Sequence, residues 1–240
     1  MIAHHGIEQL LNSLGEIETA LGVVFQDRSL LVSAFVHRSY INENRQIVHH
    51  NERLEFLGDA ILGYLIAEYL YHQLPDAPEG DLSNLRSKLV KGTACVMYVQ
   101  KLNVEKYLLL GKGERLNDGK GRESILADLF EAIIAAIFLD GGIAAVQTFF
   151  FRHFFQEVES FIKMPTHNCK ALLQEYTQKY YHQQPHYRMI NEDGPDHNKV
   201  FCVAVNIGEN ELGRGYGASK KEAQQASALD AISRLNIRTE

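Results

Sequence analysis

Residues 51–62 read NERLEFLGDAIL, a segment whose acidic and apolar residues both recur at helical spacing. On a helix, Glu52, Glu55 and Asp59 stand at positions i, i+3 and i+7, so the three carboxylates share one face. An apolar stripe beside that face is formed by Leu54, Leu57, Ile61 and Leu65. The acidic face is therefore expected to lie next to the buried side of the helix.

A second acidic pair lies in residues 125–134, which read ILADLFEAII. Asp128 and Glu131 are at positions i and i+3, and the next charged residue is Asp140. Carboxylates on a mostly apolar helix are costly, because like charges about 4 Å apart repel by roughly 4 kcal/mol at an effective dielectric constant of about 20. Converging carboxylates from two helices would therefore bind protons or cations.

Three interpretations of these acids remain open on spacing alone. Hard divalent cations with oxygen ligands, Mg²⁺ or Mn²⁺, would suit paired acids from two helices of a bundle. The acids could instead form ion pairs with Arg53, Arg86 or Arg122, or cap neighbouring helices. A di-iron site of the ferritin type is disfavoured, because such helices carry Glu-x-x-His and no histidine stands at the required offset.

The chain divides into two regions of different character near residue 164. Helical spacing of apolar residues in the first region predicts helices over 7–22, 28–40, 51–72, 81–99, 122–139 and 142–163. The second region shows an α-β-β-β-α order, with helices over 169–180 and 219–235 and strands near 186–191, 199–207 and 211–217. We therefore predict a multidomain protein, with an all-α domain over 7–163, a polar linker over 164–168 and an α+β domain over 169–237.

The composition is that of a globular protein and indicates where it works. The chain has 240 residues, of which 45% are hydrophobic and 22% charged. No uninterrupted apolar run reaches the roughly 18 residues that span a bilayer, and the first residues lack a basic stretch followed by an apolar core. The three cysteines indicate neither a disulfide framework nor a thiolate zinc site. We expect a cytoplasmic protein that does not contact a membrane.

The net charge of −6 does not exclude a nucleic-acid partner, because the charge is unevenly divided. Residues 1–164 carry 15 Lys and Arg against 21 Asp and Glu, whereas residues 165–240 carry nine of each. Contact with a polyanion depends on local clusters of basic residues rather than on the total. One such cluster, Lys220 and Lys221, stands at the start of the last predicted helix.

Ser219 and Glu222 have the spacing of a capping box, which specifies where this last helix begins. Lys220 and Lys221 then fall in its first turn, where the helix dipole disfavours cations. A phosphate partner would explain their placement, and two solvated lysines are the alternative. The packed face of this helix is expected to contain Ala223, Ala226, Leu229 and Ile232.

The first region resembles bacterial ribonuclease III. The motif NERLEFLGD at 51–59 is highly specific to that family, and further matches follow in the family's order along the chain. They lie at 21–25 (LGVVF), 37–40 (HRSY), 79–83 (EGDLS) and 122–141, which begins RESILAD and ends FLDG. Ala135 departs from the pattern, since relatives often have glycine there.

This resemblance implies an endoribonuclease that hydrolyses double-stranded RNA with two divalent ions, Mg²⁺ with Mn²⁺ as a substitute, and leaves 5′-phosphate and 3′-hydroxyl ends. It implies that the metal ligands are Glu55, Asp59, Asp128 and Glu131, and that Asp59 and Glu131 are catalytic. By the same resemblance Glu52 would tune the cleavage site, and Phe56 would insert into the partner of a homodimer. Processing of ribosomal RNA precursors and messenger RNA is a further implication.

The second region is similar to a double-stranded RNA-binding domain, through 173–176 (LQEY), 194–197 (GPDH) and 215–223 (GYGASKKEA). Such domains read the A-form shape over about 16 bp with little sequence preference. The resemblance implies minor-groove contacts from Gln174, Glu175, Gln178 and His197, and phosphate contacts from Lys220 and Lys221. Ala171 departs from the pattern, since relatives often carry a hydroxyl there.

Two glycine-rich segments, 111–113 and 119–121, lack the preceding strand and the GK[ST] ending of a phosphate-binding loop, so no organic cofactor is expected. The sequence thus predicts an Mg²⁺-dependent endoribonuclease of double-stranded RNA. The alternative from another functional class is a catalytically silent double-stranded RNA-binding regulator that keeps the same fold.

Overall fold

A computed structural model describes residues 2–44, 49–116, 121–163, 169–194 and 199–237. The chain forms two compact units, one ending at residue 165 and the other beginning at residue 166. The expected linker, 164–168, lies outside the described residues, as does the expected RNA contact His197.

The N-terminal unit is built from α-helices, which confirms the all-α prediction for this region. In chain order they are α1 (Ile2–Asn12), α2 (Leu14–Leu21), α3 (Arg28–Ala34), α4 (Arg38–Glu43), α5 (Glu52–Gln73), α6 (Glu79–Val90), α7 (Gly92–Leu102), α8 (Lys112–Leu116) and α9 (Arg122–Lys163). A 3₁₀ turn at Glu105–Tyr107 separates α7 from α8.

Three of the expected helices are each divided in two. The breaks fall at Ser13, at residues 35–37 and at Lys91. At the second break, Val36 pairs with Leu109 in an isolated bridge, and the His37 side chain then caps α4 by accepting a hydrogen bond from the Ser39 N–H. Apolar spacing continues across such breaks, so periodicity alone did not detect them.

Helices α5 and α9 form the centre of the N-terminal unit. Residues 125–137 of α9 are buried except for the half-buried Asp128 and Glu131, and α9 bends at Gly142, whose φ of 73° and ψ of −175° lie outside the helical region. Beyond the bend, the Phe154 ring packs against Tyr98 and Phe130, with ring centroids 4.5 and 5.6 Å away. The two helical segments predicted on either side of residue 142 therefore share one core.

Helix α9 is apolar enough to cross a membrane when it is judged by length and composition alone. The sequence analysis counted uninterrupted apolar runs, and charged residues interrupt those of α9 without lowering its average hydropathy below that of a membrane span. Half of its most apolar window is buried inside the N-terminal unit. Core helices of globular proteins commonly have this character.

The C-terminal unit is an antiparallel sheet flanked by helices, which confirms the α+β prediction. Its elements are α10 (Cys169–Tyr181), β1 (His186–Asp193), β2 (Val200–Ile207), β3 (Asn210–Gly217) and α11 (Lys220–Arg234). The strand order is β1-β2-β3, and the core joins Leu173 of α10, Val205 of β2 and Ile232 of α11.

Alternate residues of β3 are glycines, and these face α11: they are Gly213, Gly215 and Gly217. A Cβ atom on Gly215 would lie 2.1 Å from the backbone nitrogen of Ser227, so α11 lies directly on the strand. This close approach selects the small side chains of α11 for the interior: Ala223, Ser227, Ala228 and Ala231 are buried together with Ile232. The expected packed face is therefore partly wrong, because Ala226 is only half-buried and Leu229 is 39% exposed.

Candidate functional site

The candidate site lies where α5 crosses α9, and a glycine sets the distance between the two helices. A Cβ atom on Gly58 would lie 1.8 Å from the backbone oxygen of Glu131, so no side chain fits at this crossing. The helices therefore meet backbone to backbone. This contact brings Glu55, one turn before Gly58 on α5, close to Asp128 and Glu131 of α9.

Three of these carboxylates converge. Glu55, Asp128 and Glu131 each offer an oxygen within 4.8 Å of the others, and all three side chains are half-buried. We call this group the carboxylate cluster. Asp59 is exposed and is not part of it, although its charge acts on Glu55 and Glu131.

The electrostatics of the cluster show that it concentrates negative charge. Burial, followed by the charges of Asp59, Asp128 and Glu55, raises the pKa of Glu131 to about 7. The pKa values of Glu55 and Asp128 are also raised, in each case first by burial. Near neutral pH Glu131 is therefore partly protonated, and a bound cation would favour its ionised form.

No basic side chain forms an ion pair or hydrogen bond with the cluster within the part of the chain that the structure describes, although the charge of His37 acts to lower the pKa of Asp128. No hydrogen bond or ion pair there joins Glu55, Asp59, Asp128 or Glu131 to another side chain. This disfavours the interpretation in which Arg53, Arg86 or Arg122 neutralises these acids. Half-buried oxygen ligands that have no partner suit a hard divalent cation.

The wall behind the cluster includes a residue that sequence analysis missed. Cys95 of α7 is fully buried, and its pKa is raised to about 12 by burial and then by the charges of Glu131 and Asp59. The thiol is therefore neutral and acts as a small apolar group. Nothing in the spacing of the sequence connects Cys95 with the acids, since the contact arises from the packing of α7 on α9.

Glu52 does not join the carboxylate cluster. Its Oε1 accepts a hydrogen bond from Nη1 of Arg38 at 2.9 Å, and its Oε2 lies 3.7 Å from Nδ1 of His50. The hydrogen bond from Arg38 is the main reason why the pKa of Glu52 is lowered. Helical spacing placed Glu52 on the correct face, whereas its partner comes from another helix and was not foreseen.

Phe56 lies on α5 beside the site and is 82% exposed. Two further aromatic residues of α5, Tyr64 and Tyr71, are also exposed. The outer surface of α5 therefore carries large apolar groups that the N-terminal unit does not cover.

In the C-terminal unit, the predicted contact residues of α10 share one exposed surface. Gln174, Glu175 and Gln178 line a shallow depression together with Ala171 and Lys179. This arrangement follows from their spacing of one and three residues along α10.

The start of α11 presents Lys220 and Lys221 to solvent. The Ser219 hydroxyl accepts a hydrogen bond from the Glu222 N–H at 3.2 Å, and the Glu222 carboxylate accepts one from the Ala218 N–H at 3.0 Å. The predicted cap is therefore formed at the Ser219 end, and it fixes both lysines in the first turn of α11.

Comparison with known proteins gives a family match for each unit. A family model described as ribonuclease-III-like matches residues 27–158, and the double-stranded RNA binding motif matches residues 169–235. Ribonuclease 3 of Protochlamydia amoebophila is 59% identical over 231 residues, which are 96% of each chain. Ribonuclease 3 of Leptospira interrogans is 40% identical and covers 95% of this chain and 93% of its own length.

A solved structure of the nuclease domain of ribonuclease III from Campylobacter jejuni is also similar. It has a TM-score of 0.53 and 38% sequence identity, and the match covers 58% of this chain and 94% of that domain. That structure is described as flexible in the region involved in dimer formation.

Proposed function

The chain belongs to the ribonuclease III family and is an endoribonuclease of double-stranded RNA, and from this premise we propose that Mg²⁺ binds at the α5–α9 crossing. The proposed ligands are Glu55, Asp59, Asp128 and Glu131. The single observation that carries the proposal is the convergence of three half-buried carboxylates that form no ion pair among the described residues. We propose that this unit, over 7–163, is the catalytic domain and that 169–237 is the RNA-binding domain.

Divalent ions bound by these residues would lower the pKa of a water molecule and stabilise the leaving 3′ oxygen. The chain itself contributes position and charge. The backbone contact between Gly58 and Glu131 fixes the separation of the ligands, and the cluster releases its proton when a cation binds. Hydrolysis by water in this way would leave 5′-phosphate and 3′-hydroxyl ends, and it requires no side-chain nucleophile.

Asp59 and Glu131 are proposed as the residues most important for turnover. Glu131 is half-buried and its pKa is raised to about 7, a shift that is typical of groups at reactive sites. Asp59 is exposed beside the cluster, where it is free to bind a second cation, either alone or once RNA is bound.

The C-terminal unit is proposed to hold the RNA duplex. Gln174, Glu175 and Gln178 would contact one minor groove through the exposed surface of α10, and His197 would contact the next. Lys220 and Lys221 would bind the phosphates between the two grooves, because capping fixes both at the N-terminus of α11.

We propose a homodimer in which the exposed Phe56 inserts into a partner subunit. The support is the exposed aromatic surface of α5, together with the dimer-forming region described for the Campylobacter jejuni nuclease domain. Since a duplex has two strands, a twofold assembly would present one metal site to each. We further propose a cytoplasmic location and a role in processing ribosomal RNA precursors and messenger RNA.

Glu131→Gln tests the site, because it keeps the shape of the side chain and removes its charge. Cleavage of a double-stranded RNA in Mg²⁺ should be lost, while affinity for the same RNA, measured by gel shift, should be unchanged. Glu123→Gln, an exposed acid at the start of α9, is the matched control and should cleave normally. Undiminished cleavage by Glu131→Gln would reject the site. If the wild-type protein binds RNA but does not cleave it in Mg²⁺, and adding EDTA makes no difference, the protein is a silent regulator.

A further inference from the structure

Arg38 and Glu52 form an ion pair between the first residues of α4 and α5. Arg38 Nη1 lies 2.9 Å from Glu52 Oε1, and His50 approaches the other carboxylate oxygen. Glu52 is therefore hydrogen-bonded to Arg38, outside the carboxylate cluster.

This pair lies beside the cluster. The charge of Glu52 raises the pKa values of both Glu55 and Asp128, so the pair is within electrostatic reach of two cluster members. A carboxylate placed here adds repulsion to a site that already concentrates negative charge. Since Glu52 is bonded to a basic side chain, its position is better explained by what it does for Arg38 than by metal binding.

Arg38 has hydrogen-bond donors to spare. Its side chain is 65% exposed, and its only recorded partner among the described residues, Glu52, engages one terminal nitrogen. An exposed ion pair contributes little to stability, since fixing two long side chains costs rotamer entropy. The remaining N–H groups of a fixed guanidinium form a preorganised site for an oxyanion.

We infer that Arg38 binds a phosphate of the RNA strand next to the one at the carboxylate cluster, and that Glu52 is the positioning residue that holds its guanidinium there. This inference rests on the proposed function of the cluster. It would account for the cleavage-site tuning that the family resemblance implies for Glu52, although Glu52 lies outside the cluster. An arginine suits this task because its planar fork can donate two parallel hydrogen bonds to phosphate oxygens.

The same side chain would also help the substrate to approach. A polyanion that enters a site built of carboxylates is repelled until cations compensate the charge. A guanidinium at the edge of the site attracts the strand and fixes its register, because a contact at a neighbouring phosphate limits sliding along the strand.

RNA binding tests Arg38 separately from cleavage. In a Glu131→Gln background, Arg38→Ala should reduce the slope of log K against log salt by about one, the value for one lost phosphate contact. Arg38→Lys should retain the slope. The matched control is Arg53→Ala, an exposed arginine one residue after Glu52 on α5, and it should retain both the slope and the affinity.

Cleavage tests the link between the two residues. With otherwise wild-type protein, Arg38→Ala should lower kcat/KM about tenfold or more, as expected for a lost charged hydrogen bond. Glu52→Gln should lower it less, and the double variant should be no worse than Arg38→Ala alone, because Glu52 acts through Arg38. Mapping the cut ends should show more dispersed cleavage positions for both single variants. All of these variants should still bind Mn²⁺, followed by electron paramagnetic resonance on protein without RNA, with only the small change in affinity that one altered neighbouring charge produces.

Three results would overturn the inference: wild-type cleavage and salt slope in Arg38→Ala, additive losses in the double variant, or complete loss of Mn²⁺ binding in Glu52→Gln. The last would make Glu52 a metal ligand. Failure of the proposed metal site would be detected by a different experiment, since Glu131→Gln would then cleave RNA normally regardless of the result for Arg38→Ala.

Discussion

The two units use the same packing device for different ends. In each, a glycine lets a helix approach a neighbouring backbone directly, at Gly58 in the N-terminal unit and along β3 in the C-terminal unit. In the first, the close approach gathers half-buried carboxylates whose pKa values rise together. In the second, the close approach packs α11 tightly on the sheet, and the polar and basic side chains of this unit remain exposed and separate from one another. Cutting a phosphodiester requires concentrated charge, whereas reading the shape of a duplex requires well-separated contacts on a rigid frame.

The largest effect is expected from Gly58→Ala. The new Cβ would collide with the Glu131 backbone, so the helices must separate and the ligands must move apart. A displacement of about 1 Å at a reacting centre can cost roughly 100-fold in rate, so we expect a loss of that size in kcat. RNA affinity should be unchanged, and Mn²⁺ binding should weaken.

Gly15→Ala is the control for this substitution. Gly15 lies in α2, and a Cβ there meets no other atom within 4 Å, so cleavage should be normal and stability unchanged or slightly higher. Normal cleavage by Gly58→Ala would mean that the crossing tolerates separation, and the parallel between the units would then fail.

Gly215→Ala is the equivalent change in the C-terminal unit. Its Cβ would overlap the Ser227 backbone, and overpacking of this kind lowers the free energy of unfolding by about 1–3 kcal/mol. Thermal unfolding should show a destabilised C-terminal unit and RNA affinity should fall, while Mn²⁺ binding at the N-terminal unit should be normal. Leu229→Ala, on the exposed side of α11, should have little effect on either measurement.

The lysines at the start of α11 are expected to contribute less than the packing beneath them. Replacing both Lys220 and Lys221 by Ala should weaken RNA binding about tenfold near physiological salt and reduce the salt slope by about two. Arg234→Ala, at the other end of α11 and paired with Asp230, is the control. A salt slope equal to that of the wild type would exclude phosphate contacts by these lysines.

The smallest effect concerns pH and is confined to the carboxylate cluster. Because the pKa of Glu131 is raised from 4.5 to about 7, the folded metal-free protein holds more protons than the unfolded chain between these values. The contribution of Glu131 to the free energy of unfolding therefore falls as pH rises through this range and is lowest above pH 7. A divalent cation, which requires the ionised form, should stabilise the protein more at pH 8 than at pH 6.

The measurement is the rise in Tm on adding Mn²⁺ at each pH. We expect the rise to be about 2–4 °C larger at pH 8, which corresponds to about one proton displaced by the metal. Glu131→Gln should remove most of the difference. An equal rise at both pH values would show that the cation does not displace a proton from the cluster.

Sequence periodicity predicted the elements of both units because long apolar patterns persist wherever a helix or strand has a buried side. It also placed Glu55 and Asp59 on one face of α5, and Asp128 near Glu131 on α9, since that spacing is local. It could not show that Asp59 remains outside the cluster, which depends on how α5 is rotated against α9.

Contacts between distant segments account for the remaining differences. The pairing of Arg38 with Glu52 and the position of Cys95 behind the acids join elements far apart in the chain. Leu229 was expected to be buried because it is apolar, yet the glycines of β3 accept only small side chains from α11. Hydrophobicity predicts the burial of a residue from its own side chain alone, whereas shape complementarity also depends on the surface against which that side chain packs.

The bend at Gly142 divides α9 into two segments whose residues can differ in angular position around the helix axis. Each residue added to a helix turns everything beyond it by about 100°. An insertion between Glu131 and the bend would leave Asp128 and Glu131 aligned with α5 and would rotate only the residues that follow, and the non-helical glycine can absorb much of that rotation. Length changes beyond the bend would likewise leave Asp128 and Glu131 in their angular placement against α5, and their cost would fall on the aromatic packing of Phe154 against Phe130.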